Sequence, residues 1–249
     1  PESLSELVLT WTRQHPLSPL ESECVLVQSN GIAQWLKMAW AQPPAQGGLG
    51  VCAAVEVSLP SLFLWRAYRA ELGRAQVPEQ SPLDKRALTW RLMRLLPSFV
   101  ADGQSPNLSR FLGDDAQVRK RFQLAERLAD LYDQYQVYRA DWLAKWAVGR
   151  WYLVNAKGEE LPLPDDQVWQ ARLWQAVLAD LGEAAMDSSR AGVHRRFMAH
   201  RASGRSPVHG EDIPRRVIVF GISSLPAQAL EALSALANTV QVLLCVHNP

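Results

Sequence analysis

Three polar residues, Gln28, Ser29 and Asn30, stand between a short apolar run and a glycine. The run is Cys24-Val25-Leu26-Val27, and Gly31 is followed by Ile32, Trp35, Leu36 and Ala39 at helical spacing. Four apolar residues are too few for a helix. They do not alternate with polar ones, so they suit a strand buried on both faces of a parallel sheet. The spacing after Gly31 predicts an amphipathic helix. Amide and hydroxyl groups are thereby set at the carboxyl end of a strand and at a helix N-terminus. Ligands of open α/β sheets sit there, and the free backbone N–H groups favour anions such as phosphate. The plainer reading is a strand-to-helix connection in which Ser29 or Asn30 only caps the helix.

A second polar set, Asp130, Asp133 and Gln134, falls at i, i+3 and i+4 and so shares one helix face. By pattern alone it reads as a solvated stripe opposite the apolar rows, which most amphipathic helices have. No Ser/His/Asp or Cys/His constellation stands out. His15, His194, His200, His209 and His247 are scattered, mostly in polar stretches. No HExxH motif or nuclease-like carboxylate cluster appears. Cys24, Cys52 and Cys245 lie in apolar, strand-like runs without CxxC spacing. That argues against disulfides or zinc and for buried free thiols in a reducing cytoplasm. No catalytic residue is assigned.

The elements that must position these groups fall into two kinds. Ser3–Gln14 reads as a helix and His15–Ser22 as a loop. Pro43–Gly50 is a turn-rich break, and Val51–Val57 is a second strand candidate. It ends in Ser58-Leu59-Pro60-Ser61, where Pro60 or Ser61 starts a helix through Leu62–Leu72. Repeated strand–turn–helix units argue for a parallel sheet with helices on its faces. Ser81–Ser206 then reads as helical, with only Trp151–Val154 strand-like. Leu88, Leu92, Leu95 and Leu96 mark a helix stopped by Pro97. Ala116–Tyr138 carries one apolar row of Leu124, Leu128, Leu131 and Tyr135. An adjoining row holds Val118, Phe122, Ala125, Ala129 and Tyr132, so the helix should face a core. Trp169–Leu181 is a further helix. The sheet returns with Arg216–Phe220 ending at Gly221, a helix over Pro226–Ala237 and a strand over Thr239–Val246. The expected fold is α/β, with residues 1–80 and 207–249 forming a parallel sheet domain and 81–206 an all-helical insertion.

With 249 residues, 48% hydrophobic and 20% charged, the chain is globular rather than disordered. No apolar run approaches the roughly 18 residues of a membrane span, and Pro1–Glu6 is largely polar, without the start of a signal peptide. A net charge of +1 confines any nucleic-acid surface to a local patch. Ten tryptophans supply core and, for some, stacking surface. The chain stops at His247-Asn248-Pro249, directly after the last strand, which suggests a longer parent chain.

Five stretches in order resemble the RecC family, the gamma subunits of exodeoxyribonuclease V. They are VLVQSNGIAQWL, VEVSLPSLFLW, ADLYDQYQVYRADWLAKW, the segment Arg190–Phe197, and VIVFGISSLPAQALEAL. The most specific is Asp130–Trp146. Family members are several times longer and begin with one more strand, which is missing here or lies upstream of Pro1. The resemblance implies a superfamily 1 helicase-like (RecA-like) sheet that has lost its ATP chemistry, with the helical insertion as the second helicase subdomain. It implies partnership with RecB-like and RecD-like subunits in a cytoplasmic heterotrimer. It also implies no cofactor in this chain, ATP and magnesium being used by the partners, and a role in double-strand break repair by homologous recombination. The sequence agrees in part. The phosphate loop GxxxxGKS/T is not found in these residues, and one upstream is left open. The strand Arg216–Phe220 is followed by no Asp or Glu up to Pro226, where an active hydrolase needs an acid for magnesium.

In the family a channel scans single-stranded DNA for a regulatory sequence, Chi. Carried over position by position, the resemblance implies DNA contacts at Gln28, Asn30 and Gln34, at Leu59 and Trp65, at Asp130, Leu131, Asp133, Gln134 and Arg139, and at Arg190. The family pattern has threonine at position 30, so Asn30 is a departure that bears on the preferred sequence. The side chains suit bases: amides match adenine edges, Arg is bidentate to guanine, and Asp accepts from a cytosine amine. Trp65 can stack on a ring, although Trp is more often core. Two carboxylates on a DNA-facing helix repel phosphates, so Asp130 and Asp133 make sense facing bases or paired with Arg139. Arg119, Lys120 and Arg121, and Arg195 with Arg196, are equally phosphate contacts or ordinary surface charge. The competing readings are a nucleotide-dependent helicase or kinase and a scaffold without DNA contact.

Overall fold

Every strand of the main sheet runs the same way. In chain order the computed structural model has α1 (Glu2–Gln14), β1 (Glu23–Leu26), α2 (Asn30–Trp40), β2 (Val55–Ser58), α3 (Pro60–Leu72), α4 (Lys85–Ala101), α5 (Pro106–Leu112) and α6 (Val118–Tyr138). Then come α7 (Ala140–Ala147), β3 (Tyr152–Val154), β4 (Glu160–Pro162), α8 (Val168–Leu181), α9 (Arg190–Ala202), β5 (Arg216–Phe220), α10 (Ala227–Leu236) and β6 (Gln241–Cys245). The structure describes residues 2–103, 105–113, 118–155, 157–182 and 186–246. The expected helix residues Ala116 and Gln117, and the terminal His247, lie outside them. The chain forms two compact units, residues 1–77 with 196–249, and residues 78–195.

The first unit holds a parallel sheet in the order β2-β1-β5-β6. Its centre is apolar on both faces, as the unalternating run in β1 requires. Val25 and Val27 join a cluster with Val8, Leu9, Leu36, Trp40, Ile218 and Phe220, while Cys24 and Leu26 are also buried. Burial pushes the Cys24 thiol up to about 12, so it is not a nucleophile at neutral pH. Cys52 and Cys245 are only half-buried, and Cys52 precedes its strand rather than lying in it. Several polar groups in this core are paired: the Trp40 indole donates to Ser5 Oγ at 2.8 Å. The Glu71 carboxylate, fully buried, meets His200 Nδ1 at 2.9 Å and Arg201 Nη1 at 3.5 Å. Arg201 also donates to the Ala235 carbonyl and to Thr239 Oγ1, at 2.9 and 2.8 Å, joining α3 to the turn after α10. Strand β2 starts at Val55 rather than Val51, because Ala54 turns into a left-handed conformation at φ 53°.

The second unit is built on α4, α6, α7 and α8, whose buried core includes Leu88, Leu92, Leu96, Leu128, Tyr132, Trp146 and Trp174. It is not all-helical. Strands β3 and β4 form an antiparallel hairpin, Leu153 opposite Leu161. Its turn is held by Asn155, whose Oδ1 accepts from the Lys157 and Glu159 amides at 2.9 and 3.0 Å. Helix α4 does not stop at Pro97 but runs to Ala101. Leu96 and Phe99, buried on either side of the proline, hold the last turns on the core. Helix α6 buries Ala125, Leu128, Ala129 and Tyr132 as the apolar rows predict, yet Val118 and Phe122 at its start are exposed. Among the described residues no helix is long and apolar enough to cross a membrane.

Candidate nucleic-acid interface

The turn after β1 does both things its sequence allows. Ser29 is the N-cap of α2, and its Oγ accepts from the Ile32 amide at 3.3 Å. Its neighbours Gln28 and Asn30 are exposed, as is Gln34 one turn on. Asn30 and Gln34, four apart, share a helix face. The three amides therefore stand at the carboxyl end of a parallel strand with the capping duty taken by Ser29. Strand β2 pairs beside β1, with Leu26 opposite Ser58. Leu59 thus leaves the sheet at the same edge, as the residue before Pro60, the first residue of α3. Leu59 is half-buried. Trp65, further along α3, is also half-buried, its ring edge-on to Tyr68 with centroids 6.4 Å apart. A cavity of about 590 Å3 in the same unit lies toward the amino ends of these strands, lined by Cys24, Glu56, Arg66, Arg69 and Arg215 among others. None of the expected DNA contacts lines it.

In the second unit the structure joins Asp130, Asp133 and Arg190 into one charged cluster, with two members that sequence reading missed. Lys85 Nζ donates to Asp130 Oδ1 at 2.8 Å. Arg190 donates to Asp84 Oδ1 through Nε and Nη2, at 3.1 and 2.7 Å. Its Nη2 also lies 3.2 Å from Asp133 Oδ1. That last ion pair lacks hydrogen-bond geometry, and Asp133 Oδ1 is buried without a hydrogen bond. Burial, aided by the charges of Asp84 and Asp130, holds the Asp133 carboxyl above its ordinary range, against the pull of Arg190 and Lys85. The hydrogen bond to Asp130 raises the Lys85 ammonium. Asp84 and Lys85 carry no motif; only the antiparallel seating of α4 against α6 brings them here.

Arg139 is not the partner of these carboxylates. It ends α6 with φ −137° and ψ 42° and starts α7, so its side chain leaves the α6 face. It donates to Asp141 Oδ2 at 2.9 Å and to the Val154 carbonyl, and its guanidinium lies 3.8 Å over the Trp142 ring. Gln134 is exposed and Leu131 half-buried on α6. The described surface of this unit thus offers a free amide, an acid–base cluster and a stacked arginine, all polar groups with base-pairing capacity.

The family model described as RecC, N-terminal domain, matches residues 1–249. The chain belongs to the RecC N-terminal domain family. The RecBCD enzyme subunit RecC of Escherichia coli strain K12 is 37% identical over 251 residues, covering 100% of this chain and 20% of that protein. RecBCD enzyme subunit RecC of Haemophilus influenzae is 30% identical over 247 residues, covering 94% of this chain and 21% of its own length. The Mycolicibacterium smegmatis RecC subunit is 29% identical over 238 residues, with 93% and 19% covered. The chain therefore spans about a fifth of the length of these RecC relatives.

Proposed function

We propose that this chain is the N-terminal part of a RecBCD-type helicase–nuclease subunit, that it guides unwound single-stranded DNA, and that it reads Chi without catalysis of its own. On this reading the parallel sheet is a RecA-like helicase domain and residues 81–206 are the inserted second helicase subdomain. The partners are RecB-like and RecD-like subunits, the setting is the cytoplasm, and ATP and magnesium serve the partners. The observation that carries it is the exposed trio Gln28, Asn30 and Gln34 at the carboxyl edge of a parallel sheet, in a chain matched along its whole length by the RecC family. A trio of amides facing unstacked bases can match donor and acceptor together on an adenine edge. Asp130, Asp133, Gln134, Arg139 and Arg190, with Leu131 as apolar neighbour, are the second unit's DNA contacts on this reading, and Leu59 and Trp65 join the first unit's.

Gln34→Ala and Asp133→Ala, each introduced into the full complex, test the proposal. Chi-dependent regulation should fall by about tenfold, the worth of one base contact, while unwinding continues. Equal loss of both activities, or full retention of the Chi response in both variants, contradicts it.

A further inference from the structure

The second unit leaves two aromatic rings in water. Trp90 on α4 is 61% exposed and Phe122 on α6 is 37% exposed. They touch, with ring centroids 5.8 Å apart and planes inclined at 48°. Val118, one turn before Phe122, is exposed as well. An exposed apolar group of this kind marks a contact surface more often than a lone surface residue does.

The exposed charges flanking the pair are mostly basic. Arg86 and Arg94 stand four residues before and after Trp90, so each lies about 6 Å along the helix from it, and both are exposed. Helix α4 carries Lys85, Arg86, Arg91 and Arg94 and no acid. On α6, Arg119, three residues before Phe122, and Glu126, four after it, share its helix face, whereas Lys120 points away from it. Asp114 and Asp115 precede α6 and lie outside the described residues. Arg94 spends its guanidinium on Asp180, at 2.6 Å, while staying 66% exposed.

We infer that the Trp90–Phe122 pair is a stacking platform for single-stranded nucleic acid, with Arg86 and Arg119 taking the phosphates beside it. Rings interleaved with cations are what sequence-tolerant single-strand binding needs: a base lies on the ring while the backbone tracks the charge. Duplex DNA keeps its base faces in its own stack and gains only the phosphate contacts. The platform goes beyond the Chi-reading set, since none of its residues belongs to that set and stacking does not depend on base identity.

The test uses the full-length chain assembled with its partner subunits and an oligothymidine carrying 5-iodouridine. Irradiation should crosslink the oligonucleotide to Trp90 or Phe122, mapped by mass spectrometry. An unlabelled single strand should compete the crosslink away and closed circular duplex should not. Trp90→Leu should reduce total crosslinking at this helix pair by at least about fivefold, and Trp90→Phe should restore most of it. Arg86→Gln with Arg119→Gln should flatten the salt dependence of capture by roughly 0.7 per lost contact. Crosslinks at Trp65 with silence at Trp90 and Phe122 would sink the platform and leave the Chi-reading proposal standing; the converse pattern would do the opposite. Loss of subunit assembly in Trp90→Leu, with the free chain still folded by circular dichroism, would make the face a protein interface and overturn the inference.

Discussion

Asp133 carries a charge that its partners do not fully repay. Its carboxyl is raised chiefly by burial, and Asp84 and Asp130 add repulsion. An acid whose pKa is higher in the folded chain binds its proton more tightly there. Its contribution to stability is complete below the unfolded value, about 3.9, and is lost as pH rises through the folded one. Asp133→Asn stays neutral throughout. It should therefore be more stable than the parent at neutral pH, by up to about 1 kcal/mol, and lose that advantage below about pH 4. Urea midpoints at the two pH values check this, and a gain that is the same at both would refute it. At this scale the sequence was a partial guide. Ser29 announced its cap, since an apolar run, a polar residue and a helical spacing leave it little else to do. The carboxylates did not announce Lys85 or Arg190, which are 45 positions from Asp130 and 57 from Asp133 in the chain numbering. The alternative that paired Arg139 with Asp130 or Asp133 fails because a helix ends at it: the i+9 and i+6 spacing to those acids loses meaning once the backbone leaves the helix.

Among the elements, α4 is the one whose outcome ran against its local chemistry. Proline removes one backbone hydrogen bond and crowds the preceding turn, costing about 3 kcal/mol in a helix interior. Helix α4 accepts Pro97 because Leu92, Leu96 and Phe99 are all buried. Pro97→Ala should then raise the unfolding midpoint of the protein, with a gain of about 1–3 kcal/mol, measured by thermal or urea denaturation. A lower midpoint would mean that the proline is needed where it stands. The hairpin was only half legible for a different reason. Strand β3 has an apolar-aromatic run, whereas β4 is Glu-Leu-Pro, exposed throughout, and is held by pairing to β3 rather than by any pattern of its own. The central strands β1 and β5 were readable because burial on both faces demands largely uninterrupted apolar side chains. The start of α6 misled for the complementary reason: Val118 and Phe122 continue the apolar rows but have no core beneath them, and periodicity cannot report what lies opposite a helix.

For the whole molecule the decisive comparison is between the sheet and the work it is expected not to do. Strand β5 ends in Phe220, a buried core residue, and Gly221-Ile222-Ser223-Ser224-Leu225 follows. A magnesium-binding acid has no place in that sequence. Purified protein should turn over ATP in the presence of magnesium no faster than a buffer blank, and release of phosphate above that level would restore the nucleotide-dependent reading. The sheet order has a separate consequence. Strands β1 and β5 are neighbours at its centre, and Glu23 meets Arg216 across 193 positions. During synthesis the first strands leave the ribosome with one side of β1 unpaired, and the strand that covers it emerges only after the whole second unit has been made. A nascent chain of this topology carries an open apolar edge while the 193 positions from Glu23 to Arg216 are made, so its yield should depend on holdase chaperones far more than its finished stability would suggest.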